Sequence, residues 1–350
     1  MKPAPTTRRR DDGSGNGELC GESRVAREGQ RAPAAVRACP RAVVAEPDAR
    51  HTPVLTEAVG DLLTPRAGQI VVDATVGLAG HAMMFAEWIG SAGTLVGLDV
   101  DAANLAVAER RLAGAPCKVL LVRRNFAELD EVLASAGLGG ADVVFADLGV
   151  SSTQLDDPER GMSFQHDGPL DMRMDDRLTT TAGDLVNALR ENDLADLIYL
   201  NGQERFSRRI AKRICWARRD KRITTTGELV RVVCNALDVD PASRRSKIHP
   251  ATRVFQALRI EVNRELDCLG TLLAKAPELL NPNGRIGIIS FHSLEDGMVK
   301  RDFRARKSEG LYEILTKRPV VADASERSAN RRSRSAKLRV ARRTERAVVK

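Results

Sequence analysis

The sequence predicts an α/β chain: a doubly wound parallel sheet with helices on its faces, interrupted after its fourth strand by a helical insertion. Three observations carry this. Short β-branched runs alternate with helical stretches between residues 69 and 148. The alternation stops after Leu155, and residues 156–246 are polar, Arg-rich and helical in pattern. A further buried run, Arg285–Phe291 (RIGIISF), then follows a helical stretch. Strands alternating with helices imply βαβ units and a parallel sheet.

Taken in order, residues 1–50 hold five Pro, five Gly and no aromatic, with ten basic and seven acidic residues. Such a stretch cannot bury enough apolar surface to offset its ordering entropy and is expected to be a disordered tail. From His51 the pattern is globular. The strands are expected at Gln69–Thr75, Thr94–Val100, Lys118–Val122 and Ala141–Leu148, with helices through Trp88 and over Ala102–Leu112. Residues 251–280 read as one helix, with Val254, Leu258, Val262, Leu266 and Leu269 near a 3.6 period. Asn281–Gly284 reads as a turn before the fifth strand. The expected organisation is a discontinuous core, 51–155 with 247–340, an insertion at 156–246, and a basic tail at 341–350.

Composition bounds the function. At roughly 150 residues per domain, 350 residues make two domains, or one with insertions. Hydrophobic residues at 43% and charged residues at 29% suit a folded chain, and aromatics at 3% imply an aliphatic core. No apolar run approaches the ~18 residues of a membrane span. No charged-then-apolar leader opens the chain, so a cytoplasmic location is expected. The six cysteines, at 20, 39, 117, 215, 234 and 268, form no CxxC pair. The five histidines show no metal-ligand spacing, so no metal site is expected. The net charge of +8 suits a polyanionic partner or simply a solvated surface.

Chemistry is expected at the strand ends. Asp73 ends the first strand, and Ala74–His81 forms a loop with Gly77 and Gly80 before a helix. Asp99 ends the second strand, 19 residues after Gly80. An acid there can accept ribose hydroxyls at the carboxyl edge of an open sheet. An ordinary βα turn would look similar. The loop lacks the Gly-x-Gly-x-x-Gly array that a pyrophosphate wants, which favours S-adenosylmethionine and methyl transfer over hydride transfer. Asp147, directly after the fourth strand, is placed to accept hydrogen bonds from an exocyclic amine, or else to cap the next helix.

Seven separated stretches carry a resemblance: HTPVLTEAV at 51–59, DATVGLAGH at 73–81, DLGVSSTQLD at 147–156, GPLDMRMD at 168–175, HPATRVFQALRIEVNREL at 249–266, SFHSLED at 290–296 and SAKLR at 335–339. On these the chain resembles the 16S rRNA (cytosine-N4)-methyltransferases of the RsmH/MraW type over about residues 51–340. The resemblance implies a class I S-adenosylmethionine-dependent methyltransferase core. It implies the N4 amine of a decoding-centre cytosine in small-subunit rRNA as acceptor. It places the donor on Ala79, Gly80, His81, Asp99, Phe126, Asp147 and Gln154, Phe126 and Gln154 coming from the resemblance alone. Departures are Val76, Leu78 and Ala79, where relatives often carry an aromatic, Arg and Gly. Thr153 stands where Pro is usual, and Arg331 and Ser333 stand for Pro and Ala.

Residues 201–222 hold nine basic and two acidic residues. On a helix Arg205, Arg208, Arg209, Lys212 and Arg213 share one face, able to track a phosphate backbone or to be a solvated face. Residues 331–350 hold nine basic residues and one acid and are expected to form a partly disordered arm. His292 is placed to frame a target base, and Asp171 and Asp175 to order a loop over the site. The rival functions are an amino-methyltransferase acting on another RNA, DNA or protein, an rRNA-binding assembly factor without turnover, and a nicotinamide dehydrogenase.

Overall fold

A computed structural model describes residues 53–240 and 249–346, all within the unit Glu46–Lys350. The tail expected over residues 1–50 lies outside the described residues, as do 241–248 and 347–350. Seven strands form one sheet: β1 Ile70–Asp73, β2 Thr94–Asp99, β3 Lys118–Arg123, β4 Ala141–Asp147, β5 Leu280–Ser290, β6 Tyr312–Ile314 and β7 Lys337–Arg343. Their order is β3-β2-β1-β4-β5-β7-β6. The first five run parallel, and β7 runs antiparallel to both β5 and β6.

In chain order the helices are α1 Thr56–Leu63, α2 Gly80–Ile89, α3 Ala102–Leu112, α4 Leu129–Ser135 and α5 Ser152–Asp156. There follow α6 Ala182–Ala188, α7 Glu191–Gly202, α8 Ser207–Asp220, α9 Thr226–Leu237 and α10 Thr252–Asn263. Last come α11 Glu265–Leu279, α12 Ser293–Ser308 and α13 Ala324–Ala329.

The strand period of two sorts the sheet's side chains into two cores. Val71, Val143, Phe145 and Leu338 pack against α1, α2 and α3. Val72, Val144, Ala146 and Ile286 pack against α4, α11 and α12. A third core, without strands, joins α6–α10 through Ile210, Ile214, Leu229, Val233, Val254 and Leu258. The i, i+4 spacing of those pairs puts each on one helix face.

The structure corrects four expectations. The helix expected over 251–280 breaks at Arg264, whose φ of 50° is left-handed. It caps α10 and opens α11, and because apolar residues keep their period through the break, the pattern did not reveal it. Helix α10 then packs with α7 in the helical core, so residue 246 is not where packing changes hands. Second, Asn281–Gly284 is a bulge inside β5: the pairing jumps from Ala141↔Leu280 to Val143↔Arg285. Third, residues 157–181 hold no α-helix, only the 3-10 turn Pro158–Arg160 and an isolated bridge from Pro169 to Thr225, and helix resumes at Ala182. Fourth, the expected C-terminal arm is ordered structure over residues 331–343. A 3-10 turn over Arg331–Arg334 leads into β7, which sits between two strands with Leu338, Val340 and Ala341 buried. Arg339 is buried there because its Nε donates to Asp296 Oδ1 at 2.7 Å.

Strand β7 contributes to one sheet core and supplies ladder partners to two strands. Deleting residues 331–350 is therefore expected to abolish cooperative folding. Thermal unfolding followed by circular dichroism checks this, and a sharp transition in the truncated chain would contradict it.

Candidate active site

A cavity of about 630 Å³ opens at the carboxyl ends of the parallel strands. It lies where the chain order reverses between β1 and β4, the position at which open α/β sheets bind ligands. Its size is that of a small-molecule site. The strands end there in acids: Asp73 on β1, Asp99 on β2 and Asp147 on β4.

The three acids are held differently. Asp73 Oδ1 accepts from the Thr75 amide at 3.2 Å, and Thr75 Oγ1 accepts from the Asp147 amide at 2.7 Å. Asp99 Oδ2 accepts from the Gly77 amide at 2.9 Å and from Asn104 at 3.2 Å, and Oδ1 from the Asp101 amide at 2.8 Å. Asp147 Oδ1 is shut off from solvent and has no hydrogen-bond partner among the described residues, and Oδ2 faces His81 Nδ1 at 3.7 Å. Burial raises Asp73 to about 7 and Asp99 to about 6. It pushes Asp147 well above the usual carboxylate range, with Asp73 and Glu295 adding repulsion and Arg332 opposing it.

Of the residues expected to hold a nucleoside donor, Gly80, His81, Asp99, Phe126, Asp147 and Gln154 all line this cavity. His81 is buried, its Nε2 lying 2.9 Å from the Val54 carbonyl. Phe126 opens a 3-10 turn (Phe126–Glu128) capped by Asn125, so the side chain's position is fixed by a capping box. The Gln154 amide is engaged within the protein: Oε1 accepts from the Ser151 amide at 3.0 Å and Nε2 donates to Asp101 Oδ2 at 2.9 Å. Ala79 is not part of the lining. Its methyl is buried in the α1–α3 core, and its backbone is left-handed, φ 64°.

The far end of the cavity was less visible in the sequence. Arg259 and Glu265 form a bidentate pair (2.7 and 2.9 Å) across the α10–α11 break. Asn263 in that break accepts from the Met174 amide at 2.7 Å and donates to the Met172 carbonyl at 2.8 Å. Glu295 is held below the usual carboxylate range: burial works to raise it, but His292 and the Phe291 amide outweigh this. His292 itself caps α12 and stands behind the lining. Asp175 lines the cavity and is paired with Arg177, whereas Asp171 is paired with Arg173 outside it. Glu265, His292 and Glu295 bring ligand-type atoms within 4.8 Å of one another, a grouping that linear spacing did not show. The Arg259 guanidinium already supplies a cation to this group.

Asp73 and Arg332 were not singled out as functional. Asp73 carried the readable signal, an acid ending a buried strand. Arg332 carried none, since it sat in what looked like a charged tail.

Of the basic stripe, Arg208, Arg209 and Lys212 are exposed on α8, Arg213 is half-buried there, and the exposed Arg205 precedes the helix. Arg208 pairs with Asp196 at 2.8 Å and Arg209 with Asp238. Arg205 stacks over Phe206 at 4.7 Å and Arg213 over the exposed Trp216 at 4.4 Å. Lys212 stands exposed between them.

Five parallel strands, an antiparallel β7, and a switch-point cavity built from strand-end acids define an α/β methyltransferase fold. The chain belongs to the MraW methylase family, whose signature matches residues 48–344. It is 48% identical over 299 residues to "Ribosomal RNA small subunit methyltransferase H" of Koribacter versatilis, covering 83% of this chain and 93% of that one. The protein of the same name from Acidobacterium capsulatum is 46% identical, covering 83% and 98%. Among solved structures, a putative rRNA-methylase from Clostridium thermocellum overlaps with a TM-score of 0.39 at 11% identity, covering 82% and 94%, a likeness too slight to argue from.

Two outcomes are expected. Ala79→Gly relieves about 1–2 kcal/mol of left-handed strain but gives up a buried methyl worth about 0.8 kcal/mol and adds unfolded-chain entropy, so denaturant unfolding should shift by less than about 1 kcal/mol. The folded chain retains a proton on Asp73 up to about pH 7, which the unfolded chain loses near 3.8. Stability of the ligand-free chain should therefore fall as pH rises through that window, by at most on the order of 4 kcal/mol from this group. Melting temperatures at pH 5 and pH 8 measure the fall, which should shrink in Asp73→Asn.

Proposed function

We propose that the chain methylates the exocyclic N4 amine of a decoding-centre cytosine in 16S rRNA of the small ribosomal subunit, with S-adenosylmethionine as donor. The observation that carries the reading is the Asp147 carboxylate, poised at the end of β4 with an oxygen that no group among the described residues satisfies. Family membership and the names of the relatives support rRNA of the small subunit as substrate. No helix among the described residues is long and apolar enough to cross a membrane. The cytoplasm, where small subunits assemble, is the compartment this reading assigns.

The lining suits the donor. Acidic strand ends favour a sulfonium cation, the loop after β1 offers no close glycine array for a pyrophosphate, and Phe126 offers a ring for an adenine face. When bound, S-adenosylmethionine supplies an electrophilic methyl group. The chain's own residues do the rest. The cytosine N4 lone pair is delocalised into the ring, which makes it a poor nucleophile. Asp147 accepts a hydrogen bond from the amine and favours a pyramidal nitrogen. As the N–C bond forms and the donor's methyl–sulfur bond breaks, its electron pair staying on sulfur, the amine proton passes to the same carboxylate. Burial and the neighbouring acids raise its proton affinity for that task. The target base must leave its stack to reach the cavity. The exposed cations of α8 and the arginine stacks on Phe206 and Trp216 suit a nucleic-acid backbone.

The test uses labelled S-adenosylmethionine, small subunits lacking the modification, and nucleoside mass spectrometry. Labelled N4-methylcytidine is the expected product. Label on another nucleoside would overturn the substrate. Asp147→Asn should lower the rate at saturating donor on the order of a hundred- to ten-thousand-fold.

A further inference from the structure

We propose that Arg332 reads the target base opposite Asp147: its guanidinium donates to the N3 and O2 acceptors of cytosine while Asp147 accepts from N4. This rests on the reaction proposed above and names the residue that selects its substrate.

Arg332 stands on the short turn between α13 and β7. That turn is pinned at both ends. Asn330 accepts from the Arg332 amide at 3.2 Å, and the buried Ser333 hydroxyl donates to the Asn330 carbonyl at 2.8 Å. Beyond Ser335, β7 is locked into the sheet by its ladder with β5. The backbone that carries Arg332 is therefore held between Asn330 and β7.

Its half-buried side chain lines the same cavity as Asp147, Gly149, Phe291 and Ser335. Its guanidinium makes no hydrogen bond or ion pair among the described residues. The cavity's buried arginine, Arg259, is by contrast fully engaged with Glu265. The carboxylates that act on Arg332 are Asp156 and Asp147, both beyond ion-pair distance. A partly desolvated cation with five donors and no acceptor is costly unless a ligand supplies one.

Cytosine supplies the matching edge. Its N4 donates, and its N3 and O2 accept in a row. A carboxylate followed by a planar fork of donors complements that order. Uracil presents an acceptor to Asp147 and a donor at N3, wrong at both positions. Adenine has an amine and an adjoining acceptor but nothing in place of O2. Phe291 supplies a wall for the base. Its ring lies 3.4 Å from where a Cβ on Gly149 would stand, and Gly149 has φ 103°, so the passage between them stays open only with glycine.

The test uses the full chain and small subunits reconstituted with either cytidine or 3-deazacytidine, which lacks the N3 acceptor, at the methylated position. The unaltered chain should methylate the deaza subunits about tenfold or more slowly, the loss of one specific base contact. Arg332→Gln should act slowly on both, with the loss in kcat/KM for the subunit and donor affinity by calorimetry within a few-fold. It should no longer distinguish them. Arg332→Lys should recover little. Arg334→Gln, an exposed neighbour in the same turn, should behave as the unaltered chain.

Three results would overturn the inference alone: equal rates on both substrates by the unaltered chain, full recovery by lysine, or a loss in Arg332→Gln that disappears at high pH. The last would mean that Arg332 only keeps Asp147 charged among Asp73, Glu295 and His81. If Arg332→Gln does not fold, the unaltered chain and the lysine variant still decide. Donor binding without transfer by the unaltered chain would overturn the proposed reaction, and this inference with it.

Discussion

Three carboxylates crowded onto adjacent strand ends, Asp99 and Asp147 lining the cavity and Asp73 buried behind it, are the constraint on which the rest of the structure depends. A folded chain of this size has few kcal/mol to spare, and buried like charges consume several of them. The structure limits the cost by spending backbone donors. The amides of Thr75, Gly77 and Asp101 all turn toward Asp73 or Asp99, which fixes the loop after β1 and the entry into α3. Asp147 receives none of this support at its carboxylate. The acid left least satisfied is the one to which the proposed reaction assigns the target amine, where preorganised electrostatics would act on a substrate rather than on the fold.

The neighbouring elements can be understood from that constraint. The α10–α11 break exists because Arg264 adopts a left-handed backbone, and the break brings Asn263 and Glu265 to the cavity's rim. Through Asn263 the rim is bonded to the loop at Met172 and Met174, which belongs to the helical core. The helical part and the sheet thus share one wall of the site. A nucleic acid lying along α8 and a base entering the cavity would be held by parts of one packed structure.

Much of this was legible beforehand, and the illegible remainder has physical causes. β1 to β4 announced themselves because buried parallel strands are continuous β-branched runs, and Asp99 and Asp147 because acids rarely end such runs without a task. The family resemblance added Phe126 and Gln154, both of which line the cavity, although the Gln154 amide is engaged by Ser151 and Asp101. It also added Ala79, which instead faces the core. Strand β7 was hidden by its charge. Lys337, Arg339, Arg342 and Arg343 read as a solvated tail, because a sequence cannot show that Asp296 waits on another element to neutralise Arg339. Arg332 was lost in the same reading. The break at Arg264 was hidden because a kink that preserves the apolar face leaves the period intact.

The placement of β7 has a consequence for biosynthesis. The ribosome delivers β1 through β5 first, and those strands form the acid-lined floor of the cavity while the β5 edge still lacks its neighbour. Only when residues 330–343 emerge can β7 occupy that edge and carry the Arg332 turn over the cavity. Until then the nascent chain presents an unpaired strand edge, a template for wrong partners. Occupation of that edge therefore ends the period of vulnerability and completes the cavity wall in one event, so a chain that has escaped misassembly is also one whose site is whole.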